Sequence, residues 1–140
     1  MNKEEIIEFL NKYSVAVLAT TDGKRPYLRS IWTVKSDEKG ILFHTGKMKE
    51  MYKQILNNQN LELLFINDDK SVQIRVSGQA RQIEDKGIKN ELLEKRAFLK
   101  DIEKSYGSYD FLSVFLLEEC SASVWTMATN MIPKEYIRLN

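Results

Sequence analysis

Residues 71–83, SVQIRVSGQARQI, alternate apolar and polar side chains along their length. Val72 and Ile74 begin an apolar face and Gln73 begins a polar one, so the pattern repeats every two residues. That period indicates a β-strand rather than an amphipathic helix, whose period is about 3.6 residues. Gly78 lies in mid-segment and predicts a bulge or bend. A strand this long needs partners on its edges, so the fold must contain a substantial β-sheet.

Six further segments have strand character because they are apolar or β-branched and are bounded by turn residues. They are residues 14–21, 26–34, 41–45, 61–67, 111–118 and 120–127. The short turns DGKR (22–25) and SDEKG (36–40) join the first three segments. We therefore predict that these three strands form an antiparallel meander.

Three segments have helical spacing instead: residues 3–12, 47–57 and 85–104. At the first of them, Asn2 can cap the helix and Glu5 stands three residues on, as in a capping box. The last segment is highly charged and is the one long interruption between strands. All three are expected to lie at the periphery of the sheet.

Seven short strands with few helices predict a mainly β fold, a small antiparallel Greek-key barrel that is closed or nearly closed. The chain has no composition break, linker or repeat, so residues 1–140 are expected to form one domain. Side chains fill a barrel of this size. Residues 111–117 are apolar on both faces and need an additional apolar partner. We therefore predict a two-fold homodimer with a ligand site along its seam.

The composition excludes several classes of protein. With 21 Lys and Arg against 20 Asp and Glu, the net charge of +1 gives no reason to expect nucleic acid or an acidic membrane as partner. The single Cys120 excludes an internal disulfide and a multi-cysteine metal site, and is expected to be a buried, inert thiol. The N-terminus MNKEEIIEFL resembles neither a signal peptide nor an anchor, so we expect a cytoplasmic protein.

No side-chain catalytic constellation can be recognised. His44 is the only histidine, there is no Gly-x-Ser-x-Gly elbow, and Cys120 has no catalytic context. A glycine-rich phosphate loop is absent, and a lone histidine argues against a protein-built zinc site. If the protein is an enzyme, a bound cofactor is expected to supply the chemistry.

The stretch FHTGKMKEMYKQI (43–55) places two cations, Lys47 and Lys49, at a predicted helix start, where the helix dipole favours anions. A phosphate bound there would accept hydrogen bonds from the free amides and attract both lysines. Arg25, Arg29 and Lys53 can add to such a pocket. The alternative reading is that both lysines are solvated surface residues.

Three other candidates have equally simple alternatives. Trp32 and Trp125 can stack on an aromatic ligand, or they can belong to a core or an interface. His44, at a strand end, can donate to a ligand carbonyl or be an ordinary half-exposed histidine. These residues alone indicate only a small barrel that can hold a phosphate-bearing ligand.

The order of the segments resembles the pyridoxamine 5'-phosphate oxidase-like family, the FMN-binding split barrels. The resemblance is strongest to short bacterial members described as general stress or nitroimidazole-resistance-like proteins. It runs through VAVLATTDGKRPYLRSIW, DEKGILFHTGKMKEMYKQILNNQNLELLF, QIRVSGQARQI and SVW. Each motif is loose, but their order and spacing are fairly specific.

The resemblance implies a homodimer that holds two FMN molecules at its interface. The strand that runs along the isoalloxazine ring toward the phosphate is matched by Arg29, Ser30, Ile31 and Trp32. The strand end beside the ring and ribityl chain is matched by Phe43, His44 and Thr45, and the helix-start cation that holds the phosphate by Lys49. A glutamine on the long strand is matched by Gln73, and an aromatic residue that reaches the flavin from the other subunit by Trp125.

The chain departs from true oxidases of this family in two places. They have a Ser-Arg-Lys run at the helix start, where this chain has Lys49-Glu50-Met51. They also end in an Arg-x-His segment that engages the vitamin substrate, whereas this chain ends KEYIRLN. Oxidation of pyridoxamine phosphate is therefore not expected.

The leading hypothesis is an FMN-dependent oxidoreductase. It would pass reducing equivalents from a donor such as a reduced nicotinamide to an unidentified small molecule. The alternative is a non-catalytic flavin or haem binding protein in stress sensing or storage, since related split barrels include haem binders and deazaflavin users. His44 is the only histidine available as a haem ligand.

Overall fold

A computed structural model describes residues 1–140. The chain forms eight β-strands, four α-helices and one 3-10 turn at Met127–Thr129. The strands are β1 Val15–Thr21, β2 Pro26–Trp32, β3 Lys35–Asp37, β4 Gly40–Gly46, β5 Asn60–Ile66, β6 Val72–Ile83, β7 Leu112–Thr126 and β8 Ile137–Arg138. The helices are α1 Lys3–Lys12, α2 Glu50–Asn57, α3 Lys86–Lys95 and α4 Ala97–Tyr106. No helix is long and apolar enough to cross a membrane.

The strands form one antiparallel sheet in the order β2-β1-β5-β6-β7-β4-β3, with β8 paired to β7. The predicted class, mainly antiparallel β with peripheral helices, is confirmed. The long strand β6 alternates buried Ile74 and Val76 with exposed Arg75 and Ser77, as its sequence predicts. The bulge predicted at Gly78 is also present, because the register with β7 shifts between Ser77 and Gln79.

The sheet curls until its two edge strands meet. β2 and β3 lie at opposite ends of the strand order, yet only residues 33 and 34 separate them in the chain, a link of about 10 Å at most. The backbone N–H of Thr33 donates to the carbonyl of Ser14, and that of Val34 donates to the carbonyl of Leu42. Two consecutive residues thus join the start of β1 to β4, which produces a split barrel.

Two apolar clusters stabilise the fold. The larger contains 19 buried residues inside the curled sheet, where Phe43 stacks on Phe115 with ring centroids 5.6 Å apart. Helix α1 contributes Ile6 and Leu10 to this core, and its predicted capping box at Asn2 is present. Cys120 is fully buried, as predicted, and its thiol donates to the carbonyl of Leu117.

The smaller cluster covers the outer face of β7. Leu92 and Leu93 of α3 and Leu99 of α4 pack there against Leu112 and Val114. The second apolar face of residues 111–117 is therefore covered within the chain, and that segment needs no partner subunit. The homodimer stays a prediction, but this part of its basis was wrong.

The order of strand pairing differs from the predicted meander. Only β1 and β2 form the expected hairpin; β2 does not pair with β4, which lies between β3 and β7. The turn predicted at 36–40 begins inside the short strand β3. The strand predicted over 26–34 ends at Trp32 because the next two residues cross to the other edge of the sheet.

Three element boundaries were also wrong. Residues 85–104 form two helices broken at Arg96, which has an extended backbone. Residues 111–118 and 120–127 form the single strand β7, which continues through Glu119 in a left-handed backbone conformation opposite the Gly78 bulge. Helix α2 begins at Glu50 rather than at residue 47, because residues 47–49 form a turn after β4.

Replacing Gly40 with alanine is expected to destabilise the fold strongly. Gly40 has φ +139°, and a Cβ there would lie 2.1 Å from the carbonyl oxygen of Leu117 in β7. Gly107 also has positive φ, but a Cβ there meets nothing within 4 Å. Gly107→Ala should therefore cost about 1 kcal/mol, and Gly40→Ala about 2 kcal/mol more, because β7 must also move. Urea unfolding of both variants measures the difference, and equal losses would contradict the close packing at Gly40.

Candidate functional site

A cavity of about 940 Å³ lies in the split of the barrel. One wall is β2, whose only strand partner is β1, so its other edge is free. The facing wall includes residues 44–46 of β4, which pair with β7 on one side but extend beyond β3 on the other. Free strand edges carry backbone N–H and C=O groups without sheet partners. The volume lies near the upper end of the range for small-molecule sites, about 300 to 1,000 Å³.

Four cations line the cavity against one carboxylate, that of Glu50. The cations are Arg25, Arg29, Lys49 and Arg96. None of them takes part in any of the six ion pairs of the chain. In a protein of net charge +1, this is a local excess of positive charge that is not neutralised. Such a site favours an anionic ligand.

Arg29 is held at one end of the cavity by neutral groups. Its Nη1 donates to Thr20 Oγ1 at 2.7 Å, and its Nη2 donates to Gln54 Oε1 on α2. Thr20 Oγ1 in turn donates to the same Gln54 oxygen at 2.6 Å. Partial burial lowers the pKa of the guanidinium, although Glu50 opposes this effect. The Arg29 side chain is thus fixed in position while its charge lacks a counter-ion.

The start of helix α2 adjoins Arg29 at this end. Lys49 is the N-cap residue, its side chain makes no capping bond, and it is exposed at the cavity wall. The first amides of a helix have no partner within the helix and carry partial positive charge. Lys47, by contrast, does not line the cavity. Lys53, which was also predicted for this pocket, does not line the cavity either, so Lys49 is the only one of the three predicted lysines that does.

Elsewhere on the cavity wall, Arg96 is 6% exposed and contacts His44 and β2. Its Nη1 donates to the carbonyl of Trp32 at 2.9 Å and contacts His44 Nε2 at 2.7 Å, and its Nη2 donates to the carbonyl of Thr33 at 2.9 Å. Arginine can only donate, so His44 Nε2 is the acceptor and the ring proton lies on Nδ1. Burial, then Arg96, then Lys49 lower the pKa of His44 to about 4.

Aromatic side chains form an apolar wall beside Arg96. The rings of Trp32 and Phe98 are stacked with centroids 6.5 Å apart, and the Arg96 guanidinium lies 3.8 Å from the centroid of Trp32. Ile102 and Leu99 of α4 continue this wall. The cavity therefore combines cations around the start of α2 with a flat aromatic wall beside Arg96.

Most of the residues predicted for the site are brought together here. Those that line the cavity are Arg29, Ser30, Ile31, Trp32, His44, Thr45 and Lys49. The Thr45 hydroxyl is buried and has no hydrogen-bond partner. Phe43 is absent from the cavity wall, because side chains alternate along β4 and its ring points into the core.

Gln73 and Trp125 also lie outside the cavity. They face each other across β6 and β7, and the Trp125 ring nitrogen donates to Asn130 Oδ1 at 2.7 Å. The expectation that an aromatic residue reaches the ligand from a second subunit concerns a copy that this single chain does not contain. It stays a prediction.

Sequence reasoning missed Arg96 and Gln54. Arg96 lies in a segment whose spacing predicts a single docking helix, where charged residues are common. Gln54 stands one turn after Glu50 on α2, and its position facing Arg29 depends on how α2 packs on β1. A gap in the apolar spacing near residue 96 was the only available signal.

Comparisons with known proteins identify a family. The model of the family described as pyridoxamine 5'-phosphate oxidase matches residues 2–114. A curated relative, the pyridoxine/pyridoxamine 5'-phosphate oxidase of Prochlorococcus marinus, is 31% identical over 81 residues. That match covers 58% of this chain but only 36% of the relative, so the chain spans little more than a third of that enzyme.

Solved structures share the fold over nearly the whole chain. A NimC/NimA family protein from Clostridium acetobutylicum has a TM-score of 0.75 at 22% identity, covering 96% of this chain and 91% of its own. General stress protein 26 from Bacillus anthracis has a TM-score of 0.68 at 18% identity, covering 97% of each. HutZ, the heme storage protein from Vibrio cholerae, has a TM-score of 0.64 at 17% identity, and the match covers 90% of this chain and 95% of HutZ. At these identities the likeness concerns the fold alone.

The His44 imidazole is expected to titrate near pH 4 rather than near 6.5. Since the folded pKa lies below the unfolded value, the unfolded chain binds the proton first, and stability is lost as the pH falls from about 6.5 to about 4. His44 is the only histidine, so one set of ring signals in an NMR titration reports it directly.

Arg96→Gln should raise the His44 pKa because it removes a nearby cation. Lys95→Gln is the matched control, since Lys95 is exposed and paired with Glu91. An unchanged His44 pKa in Arg96→Gln would contradict the contact between Arg96 and His44.

Proposed function

The chain belongs to the pyridoxamine 5'-phosphate oxidase family, and from that premise we propose that it binds FMN in the cavity of the split barrel. The bound flavin would pass reducing equivalents from a donor to an unidentified small molecule. The observation that carries the proposal is the group of four cations without acidic partners around a cavity of suitable size. FMN combines a dianionic phosphate with a flat ring system, and the cavity offers cations around the start of α2 and a free backbone edge along β2.

The phosphate fits the end formed by Arg29, Lys49 and the start of α2. Arg29 supplies a guanidinium already held by Thr20 and Gln54, so little side-chain entropy is lost on binding. Lys49 supplies a mobile, exposed charge, and the free amides of the helix supply directional donors. This phosphate site differs from the Ser-Arg-Lys run of true oxidases, because its cations come from β2 and from the start of α2.

The ring system fits along the free edge of β2. Unpaired backbone groups there can bond to the polar edge of an isoalloxazine, and Ile31 offers apolar surface beside them. When bound, FMN would itself supply the redox chemistry, while the chain binds it, orients it and limits its contact with water.

Haem binding through His44 is less well supported. His44 Nε2 accepts a hydrogen bond from Arg96, so only Nδ1, which carries the ring proton, is unoccupied. A metal ligand needs a free lone pair, and two neighbouring cations oppose a ferric centre at this position. The likeness to a heme storage protein concerns the fold and does not change this conclusion.

FMN is expected to bind at least tenfold more tightly than riboflavin, because riboflavin lacks the phosphate. Lys49→Glu should weaken FMN binding by more than tenfold and change riboflavin binding little, since a charge-assisted contact becomes a repulsion. Flavin absorbance and fluorescence titrations give both dissociation constants.

Lys53→Glu is the matched control for this experiment. It makes the same charge change on an exposed position of α2 that does not line the cavity. It should leave FMN affinity within about threefold of wild type. Equal affinity for FMN and riboflavin, or equal effects of the two variants, would contradict the proposed phosphate site.

We also propose that two copies assemble around the site. Several large apolar side chains are exposed on the single chain, among them Leu28 and Trp32 on β2, and Met127 and Met131 after β7. Leu28 is 70% exposed and Met131 is 92% exposed. Exposed apolar surface of this kind supports a self-complementary interface. Trp125 lies close to Met127 and Met131 in the chain. In such a dimer it would therefore reach the flavin bound by the partner subunit.

A complementation experiment tests this arrangement. Trp125→Ala alone and Lys49→Glu alone should each bind FMN poorly, although Trp125 lies outside the cavity of its own chain. If each site combines Lys49 of one chain with Trp125 of the other, unfolding and refolding the two variants together restores about a quarter of the sites. Light scattering of the same samples reports the dimer. A monomer, or a mixture without recovered binding, would contradict the shared site.

A further inference from the structure

Arg96 is a buried cation without a counter-ion. It is 6% exposed, and every group that it contacts is neutral: two backbone carbonyls, the His44 imidazole and the face of Trp32. Burial lowers the pKa of its guanidinium, which reflects the unfavourable environment for the charge. Buried charges in proteins are normally paired with an opposite charge. Arg96 therefore lacks an anion, and the cavity that it lines is open to receive one.

The Arg96 guanidinium also has N–H donors without a hydrogen-bond partner. Of its five N–H groups, two on Nη1 and one on Nη2 are engaged by Trp32, His44 and Thr33. The Nε–H and the second Nη2–H have no partner. Nε and Nη2 together form a fork that matches the two oxygens of a carboxylate. The contacts that hold Arg96 in place therefore leave a carboxylate-binding edge free.

The surroundings of Arg96 favour a flat, apolar body attached to that carboxylate. Trp32 and Phe98 present stacked rings, and Ile102 and Leu99 complete an apolar wall. Aromatic ligands gain favourable offset contacts with such rings in addition to the burial of their area. No carboxylate of this chain is among the contacts of Arg96.

We propose that Arg96 anchors a second ligand of the cavity, a small planar aromatic monocarboxylate, with its ring against Trp32 and Phe98. This subsite is distinct from the phosphate end at Arg29 and Lys49. The claim that this ligand lies beside a flavin rests on the proposed function. The claim that the cavity binds a carboxylate rests on Arg96 alone.

The charge balance separates the two subsites. Four cations and one carboxylate leave three positive charges around the cavity, and a phosphate carries about two negative ones. One positive charge then remains, and Arg96 is the most deeply buried of the four cations. The oxidised flavin ring has no formal charge and does not compensate it, whereas one carboxylate does.

Benzoate is the probe that tests the subsite, with benzamide as its uncharged match. The two share the planar ring, so calorimetric titration of the wild-type protein, with and without saturating FMN, isolates the contribution of the carboxylate. Benzoate should bind at least tenfold more tightly than benzamide and should not displace FMN. Binding should also raise the pKa of His44 in the NMR titration, because the anion offsets Arg96. Equal affinities, or displacement of FMN by benzoate, would overturn the proposal.

Arg96→Lys keeps the charge but removes the fork, so it should weaken benzoate binding at least tenfold while FMN affinity changes less than threefold. Lys49→Glu should have the opposite selectivity. Phe98→Ala is a second variant, since Phe98 is 47% exposed and its loss leaves every hydrogen bond of Arg96 in place. It should weaken benzoate binding several-fold with little change in thermal stability, even if Arg96→Lys does not fold.

The outcomes distinguish this proposal from the proposed function. Wild-type protein that binds FMN but not benzoate refutes the carboxylate subsite alone. Protein that binds benzoate through Arg96 but does not bind FMN refutes the flavin proposal and leaves the subsite standing. Benzoate affinity that is unchanged in both Arg96→Lys and Phe98→Ala refutes the subsite whatever the result with FMN.

Discussion

Thr33 and Val34 bond to opposite ends of the sheet, and the site depends on this crossing. The Thr33 backbone N–H and hydroxyl both reach the carbonyl of Ser14, whereas Val34 bonds to Leu42. Because only two residues separate the edge strands, the sheet must curl, but β2 and β4 do not pair. The gap between them has a free backbone edge on β2 and charged side chains from β2, α2 and the α3–α4 junction.

Electrostatics give that gap its character. A chain with almost balanced charge places four cations and one carboxylate around a single cavity, and none of the cations is neutralised by an ion pair. The cations differ in how they are held. Arg29 and Arg96 are fixed by neutral hydrogen-bond partners, while Lys49 is exposed and free to adjust. A cavity with two fixed guanidinium groups and an aromatic wall is suited to ligands that carry both a flat body and negative charge.

The sequence predicted the elements better than their arrangement. The alternation in β6, the bulge at Gly78 and the capping box at Asn2 were all correct, because each depends on residues close together in the chain. The meander was wrong because pairing is decided between distant strands. The need for a partner over 111–117 was wrong because α3 and α4 cover that face. The local pattern placed Lys47 and Lys49 together at a helix start, whereas only the structure shows that Lys49 lines the cavity and that Phe43 points into the core.

The sequence by itself determined that this chain is mainly β, which segments have strand or helix periodicity, and that a cation stands at the start of α2. These features follow from side-chain periodicity and helix-end chemistry, which act over a few residues. Only the tertiary structure decided that Arg96 contacts Trp32 and His44, which are 64 and 52 residues away in the chain. It also decided which strand edges remain free. Both depend on the curl of the sheet and the packing of α3 and α4, which arise from contacts that no local pattern encodes.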